Sequence, residues 1–232
     1  MEKITETDSG LNIEKPVAES IEDIVRLVGS KIIGRLANKY RDIELDNVHV
    51  LLDFISRAGG GNHLEIGTLF GGSAIAVALL KLQLGQAGVI VCIDPLNGYY
   101  KMDGSGNDVS GIPVTPETLF RNIENFFVED RILVMRAYSQ LCSNLNIQFS
   151  TAYIDGDHKR GAPLNDWFLV KDMVSKYVIF DNCDELHPDV MSACEYAELD
   201  TDWQCVYNKG ISFVVEKIVE MPLATLDMLE RI

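Results

Sequence analysis

Two apolar runs in the sequence end abruptly in acid: "YIDGDHK" at 153–159 and "YVIFDNCDE" at 177–185. Runs of this kind read as strands buried in a sheet, and buried charge is costly unless it is paired or bound to a metal. One strand–helix–strand unit separates Asp155 from Asp181, so their strands are expected to be parallel neighbours, ~4.8 Å apart. Two carboxylates at one edge repel, and one must take a proton unless a cation intervenes. Asn182 adds a neutral oxygen. Asp155, Asp181 and Asn182 therefore make a hard-oxygen set suited to Mg²⁺, with Ca²⁺ or Mn²⁺ as further candidates. Such an ion leaves about three coordination places, two of which suit neighbouring oxygens of a hydroxylated acceptor. It would act there as Lewis acid and template.

His158 follows on the same loop. With an ordinary pKa of ~6.5 it is a candidate acceptor for a substrate hydroxyl proton, and the bland alternative is a loop histidine bonded to Asp157 or to backbone. Asp157 would then orient His158 or a metal-bound water. His187, in "DELHP", either borders the substrate or caps a helix. Cys183 reads as an ordinary buried thiol.

A second constellation lies upstream, where "LEIGTLFGGSA" (64–74) joins a strand to a helix. Glycines 67, 71 and 72 allow a sharp turn and close approach of a ligand, but the spacing is not the dinucleotide fingerprint GxGxxG. Glu65 would repel a phosphate and favour a cation or an amine. Asp94 closes the next strand, "VIVCID", where an acid can accept from both ribose hydroxyls. Together these features suggest a positively charged nucleoside without phosphate, a description that S-adenosylmethionine meets. A glycine-rich turn with no ligand is the structural alternative.

On these motifs residues 63–216 resemble the class I S-adenosylmethionine-dependent methyltransferases. The likeness is to metal-dependent small-molecule O-methyltransferases of the catechol and caffeoyl-CoA type, and to related bacterial methyltransferases. "EIGTLFGGSA" is similar to the family's cofactor loop, which implies that Glu65, Gly67, Gly71 and Ser73 surround the methionine moiety. "CID" places Asp94 at the ribose position. "AYSQ" (137–140) resembles the segment that lies against adenine, which implies Ser139 and Gln140 there. "YID" and "FDN" match the metal strands, assigning Asp155, Asp181 and Asn182. The resemblance implies a Rossmann-like, doubly wound α/β fold with a mostly parallel seven-stranded sheet. The expected activity is metal-assisted methyl transfer to a hydroxyl of a small sugar, phenolic or other natural product, with Asp155 as a catalytic residue. The family often has a lysine near His158, so His158 as the second catalytic residue rests on its own chemistry and position rather than on the resemblance.

The elements that must position these residues follow from periodicity. Apolar residues at helical spacing mark helices over Glu19–Asn38 and Val48–Arg57. Short buried strands are expected at His63–Ile66, Gly88–Ile93, Arg131–Arg136, Thr151–Ile154 and Tyr177–Phe180. Helices between them are expected at Ser73–Leu82, Pro116–Phe127, Leu164–Ser175 and Pro188–Ala197. This alternation implies βαβ units and a parallel sheet covered on both faces. "DWQCVYNKGISFVVEK" reads instead as an antiparallel hairpin. A flexible leader is expected over 1–16 and a single domain over 17–232, with N-terminal helices in 17–58, the core in 63–216 and a tail in 217–232. The long Gly/Pro/Asn-rich stretch after Asp94, with Tyr99 and Tyr100, reads as a lid over the ligand edge. It is larger than in the catechol type, so the acceptor's identity does not carry over.

Composition narrows the partners. The 232 residues carry 35 Asp and Glu against 20 Lys and Arg, a formal net charge of −15. Without a basic block the chain is not expected to bind nucleic acid. It shows neither a membrane-length apolar run nor the apolar core of a signal peptide. Five cysteines without a CxxC suit reduced thiols and a cytoplasmic location. Association between copies of the chain is left open.

Three rival readings stand beside this one. "YIDGDH" also resembles the D-x-D strand of haloacid-dehalogenase-type phosphatases, with Asp155 as nucleophile and Asp157 as acid/base. That motif belongs on the first strand of its domain, has Lys159 where a hydroxyl is expected, and leaves the Glu65 loop without a purpose. The others are metal-independent methyl transfer and a non-enzymatic cofactor- or metal-binding module.

Overall fold

The computed structural model describes residues 20–32, 45–97 and 114–219. The expected leader, residues 98–113 of the expected lid with Tyr99 and Tyr100, and the end of the tail lie outside them.

Helix α1 (Ile21–Lys31) starts where the Ser20 side chain accepts the amide of Asp23 at 3.1 Å, and it buries Ile24, Val25 and Val28. It stops at Ile32, whose backbone is extended, well short of the expected Asn38; residues 33–38 of that expectation lie outside the described chain. Helix α2 spans Leu45–Ala58, and its inner face includes the fully buried Leu51 and Leu52.

The strands are β1 (His63–Ile66), β2 (Ile90–Asp94), β3 (Ile132–Arg136), β4 (Phe149–Ile154), β5 (Val174–Phe180), β6 (Trp203–Lys209) and β7 (Ser212–Lys217). Between them run α3 (Gly72–Gln83), α4 (Pro116–Asn125), α5 (Ala162–Val170) and α6 (Pro188–Leu199). The seven strands form one sheet in the order β3-β2-β1-β4-β5-β7-β6. β1 to β5 pair in parallel, whereas β7 is antiparallel to both β5 and β6. The chain thus has the Rossmann-like fold and the antiparallel C-terminal hairpin expected of it. The strand order reverses between β1 and β4, and open α/β sheets bind ligands at the carboxyl ends beside such a switch.

Alternating residues divide the core into two layers. Cys92, Tyr153, Ile179 and Val214 meet α1 to α4 on one face, while Leu64, Val91, Ala152 and Phe180 meet α5 and α6 on the other. One element boundary differs in kind from expectation. The stretch 164–175 is not all helix: α5 ends at Val170, and Val174 opens β5 opposite Phe149. Polar Ser175 and Lys176 break the apolar run there, so a strand entering from the sheet's rim carried a helix-like pattern. The other boundaries move by a few residues. No helix among the described residues is long and apolar enough to cross a membrane.

Candidate active site

β1, β2, β4 and β5 deliver their last residues to one edge of the sheet, and the chemistry-bearing residues leave from there. After Ile66 the chain turns at Gly67 (φ +84°), where a Cβ would sit 2.1 Å from the carbonyl oxygen of Asp155. Only glycine fits between the two strand ends. The loop then tightens through a 2.7 Å bond from Gly71 N–H to Thr68 O, and Gly71 (φ +90°) precedes the first turn of α3. Ser73 is buried in that turn. The first turn of α3 contains no acid, so its amide dipoles present an uncompensated positive end.

Asp94 fixes this loop in place. Its Oδ2 accepts the amides of Thr68 at 2.8 Å and Leu69 at 3.0 Å, and its Oδ1 accepts that of Leu96 at 2.8 Å. Leu69 (φ +51°) and Leu96 (φ +45°) both occupy left-handed backbone, which costs an L-residue about 1–2 kcal/mol. The carboxylate's bonds to backbone amides offset that strain. From the other side the Asn122 side chain donates to Phe70 O at 2.8 Å. Glu65 is fully buried on β1, in register between Cys92 and Tyr153.

The acidic strand ends meet as expected. Ile154 and Phe180 are register partners on parallel strands, so Asp155 and Asp181 follow at the same level. Asp181 is buried and its pKa is raised to about 7, first by desolvation and then by the charge of Asp155. Its Oδ2 accepts the Tyr153 hydroxyl at 2.8 Å, and its Oδ1 accepts the amide of Asn182 at 2.8 Å and the Asn47 side-chain amide. Asn47 Oδ1 in turn accepts the Ser212 hydroxyl at 3.1 Å. Asn182 sits at φ +58°, a left-handed conformation that Asn tolerates better than most residues, and half exposes its side chain.

His158 bonds to Asp155 rather than to Asp157: Nε2 lies 3.1 Å from Asp155 Oδ1. Burial lowers its pKa, against the opposing charges of Asp181 and Asp157. Its ring packs edge-on against His187 at 5.1 Å, and His187 Nδ1 is 2.8 Å from Asp184 Oδ1. Asp157 is exposed and accepts the amide of Lys159. Cys183 is half-buried, and all five cysteines are free thiols.

Ser139 opens a short 3₁₀ turn, Ser139–Asn144, beside the end of β3; Gln140 is exposed there. Asp166 is buried, and desolvation raises its pKa to about 6. Asn47, Tyr153 and Asp166 were not anticipated as site residues. Asp166 had a signal, a carboxylate inside the apolar helix "APLNDWFLV". Asn47 had none, since its partner lies 134 positions away.

Asp155, Asp181 and Asn182 follow adjacent strand ends and carry oxygen donors of the type that hard divalent cations take. The third donor is the Asn182 amide; among the described residues no group of three or more His, Cys, Asp and Glu is arranged to hold a metal.

No protein-family model matches this sequence, and no curated protein matches it. Solved structures do match in fold. An O-methyltransferase from Bacillus cereus in complex with SAH is 17% identical with a TM-score of 0.61, over 90% of this chain and 94% of that one. The O-methyltransferase NovP is 14% identical with a TM-score of 0.68, over 86% of this chain and 98% of that one. TomG from Streptomyces achromogenes, an O-methyltransferase involved in tomaymycin synthesis and solved with SAM, is 13% identical with a TM-score of 0.58. That match covers 89% of this chain and 92% of that one. At these identities the likeness is one of fold.

Proposed function

We propose that this chain transfers a methyl group from S-adenosylmethionine to a hydroxyl of a small acceptor, assisted by a divalent cation at Asp155, Asp181 and Asn182. The observation that carries this reading is the pairing of two half-sites across the strand switch point. A glycine loop braced by Asp94 stands on one side, and register-matched carboxylates stand on the other. The O-methyltransferases of matching fold, solved with SAH or SAM, support the choice of cofactor.

Each residue then has a task. The positive end of α3, with Gly71 and Ser73, suits the cofactor's carboxylate, and buried Glu65 supplies negative charge on the same side as its amine. Asp94 fixes the loop and lies at the strand end where the ribose is expected, with Ser139 and Gln140 against adenine. The cation, when bound, supplies Lewis acidity that lowers the pKa of the acceptor hydroxyl. His158 Nε2–H donates to Asp155, which leaves Nδ1 as the basic nitrogen. Burial keeps that ring neutral near pH 7, ready to take the hydroxyl proton. Methyl transfer itself is an in-line displacement that depends chiefly on positioning.

A second reading, metal-independent transfer, is favoured by one observation: Asp181 already accepts three hydrogen bonds and holds its proton to about pH 7. Transfer from labelled S-adenosylmethionine to a panel of hydroxylated acceptors, with and without chelator, tests both. Activity that vanishes with chelator and returns with Mg²⁺ supports the cation, and full activity in chelator favours the second reading. Calorimetry showing no affinity for S-adenosylhomocysteine would overturn both.

A further inference from the structure

Two loops at the cleft edge carry the same pattern, Asp-x-x-His: "DGDH" (155–158) after β4 and "DELH" (184–187) after β5. In each, the ring turns back to its own aspartate. His158 Nε2 lies 3.1 Å from Asp155 Oδ1, and His187 Nδ1 lies 2.8 Å from Asp184 Oδ1. β4 and β5 are parallel neighbours, and the two rings meet across them with centroids 5.1 Å apart and planes crossed at 81°. The chemistry proposed for the cleft uses His158 and leaves His187 without a task.

The two histidines are held very differently. Among the described residues the His158 side chain makes one hydrogen bond. That bond pins Nε2, which lies close to the line of the Cβ–Cγ bond, and χ2 of a histidine is otherwise broad. Rotation about this line would sweep Nδ1, the basic nitrogen, through an arc while the bond to Asp155 persisted. His187 is tied on both sides instead. Its ring and its amide both bond to Asp184, at 2.8 and 3.0 Å, and its carbonyl accepts the amides of Val190 and Met191 in the first turn of α6. Asp184 Oδ1 also accepts the Leu186 amide at 2.9 Å. α6 itself is anchored through buried Val190, Ala193, Cys194 and Ala197. The crossed ring is therefore a fixed stop beside a ring that could swivel.

Resting on the reading of His158 as the base, we propose that His187 is its positioning residue. Held by Asp184, the His187 ring blocks the swivel of His158 and keeps Nδ1 in the orientation that takes the acceptor's proton. This role needs a ring at 187 and neither a charge nor a proton there.

The first readout needs no turnover. In the complex with S-adenosylhomocysteine, the NMR order parameter of the His158 Cδ2–H bond, which points well off the swivel axis, should be near 0.85 in wild type, about the value of rigid backbone. It should fall below about 0.6 in His187→Ala and in His187→Asn, which keeps a donor for Asp184 but lacks the ring. His187→Phe, which keeps a ring but not the donor, should restore it. With catechol as the acceptor probe, kcat should drop about threefold to tenfold in the Ala and Asn variants and recover to within about twofold in the Phe variant. Affinity for S-adenosylhomocysteine should hold in all three. In a His158→Gln background the same substitutions should cost nothing further, because they act through His158. An order parameter that stays high in His187→Ala, a Phe variant as poor as Ala, or an equal loss of rate in the His158→Gln background would each overturn the proposal. The two readings fail separately. No methyl transfer by wild type to catechol or to any other hydroxylated acceptor removes the methyltransferase, and the order parameters still decide the part played by His187.

Discussion

Asn47, near the start of α2, donates its side-chain amide to Asp181 at the end of β5 and takes the Ser212 hydroxyl on its carbonyl oxygen. All three residues are buried. A helix that precedes the sheet in sequence thereby fixes the carboxylate on which the proposed chemistry depends.

Asn47→Ala should be destabilising because it strips a donor from Asp181 and an acceptor from Ser212 inside the core. The expected loss is roughly 1–3 kcal/mol, the usual cost of a buried polar group left unsatisfied. Urea unfolding measures it, and a change under half a kcal/mol would mean that the network contributes little. On the proposed reading the cofactor is held at the glycine loop, so affinity for S-adenosylhomocysteine should hold in the same variant.

Asp181 predicts a pH dependence. Its folded pKa of about 7 exceeds that of an unfolded aspartate, so the unfolded chain releases this proton first. The folded state is most favoured below about pH 4, loses that advantage as pH rises toward 7, and stays level above. Asp181→Asn removes the titration while keeping an acceptor for Asn47 and the Asn182 amide. In chelator, the variant's stability relative to wild type should climb between pH 4 and pH 8 by an amount on the order of a few kcal/mol. A difference that stays flat over this range would contradict the raised pKa.

His158→Gln should retain affinity for S-adenosylhomocysteine and lower kcat by roughly 10²- to 10⁴-fold, the usual contribution of a general base. Because burial lowers the imidazole pKa, the wild-type acid limb that reports this base should fall below pH 6.5. The variant should recover rate as pH rises and hydroxide replaces the lost base. An unchanged profile in the variant would assign proton removal elsewhere.

Asp94→Ala should fail in two measurements at once. Three amides, those of Thr68, Leu69 and Leu96, lose their acceptor, and two left-handed leucines lose what holds them. The melting temperature should drop by several degrees, from a loss of roughly 2–4 kcal/mol, and affinity for S-adenosylhomocysteine should fall at least tenfold. Affinity within twofold of wild type would separate Asp94 from the cofactor's side of the cleft.

The layered fold was legible in the sequence because the central strands β1, β2 and β4 are buried on both faces, and "IVCI" of β2 reads as an unbroken apolar run. β1, "HLEI", was assigned at its observed limits although His63 and Glu65 are buried with it. The neighbouring of Asp155 and Asp181 was legible too, since one crossover places sequential parallel strands side by side. The contacts made by their side chains were not. Asn47 and Ser212 reach Asp181 through tertiary packing, for which periodicity gives no sign, and Asp94 proved to grip its own loop, a use of acid invisible in "CID". His158 turned to Asp155, three residues back, rather than to its neighbour Asp157. The helix assigned over 164–175 failed where a rim-exposed segment of β5 lost its apolar alternation.

β7 is the one strand that runs against the other six, and this reversal bears on how the protein could diversify. In the parallel strands the residue nearest the cleft is the last, and lengthening there pushes directly into a crossover and the helix packed behind it. In β7 the residue nearest the cleft is the first, Ser212, which follows a short turn from β6. Insertions at 210–211 would build out the edge of the sheet beside Ser212 and its partner Asn47 while leaving the ladder from Val214 to Lys217 in register. Variation can therefore accumulate at this turn without rewriting the sheet, because surface turns tolerate added length far better than packed crossovers do.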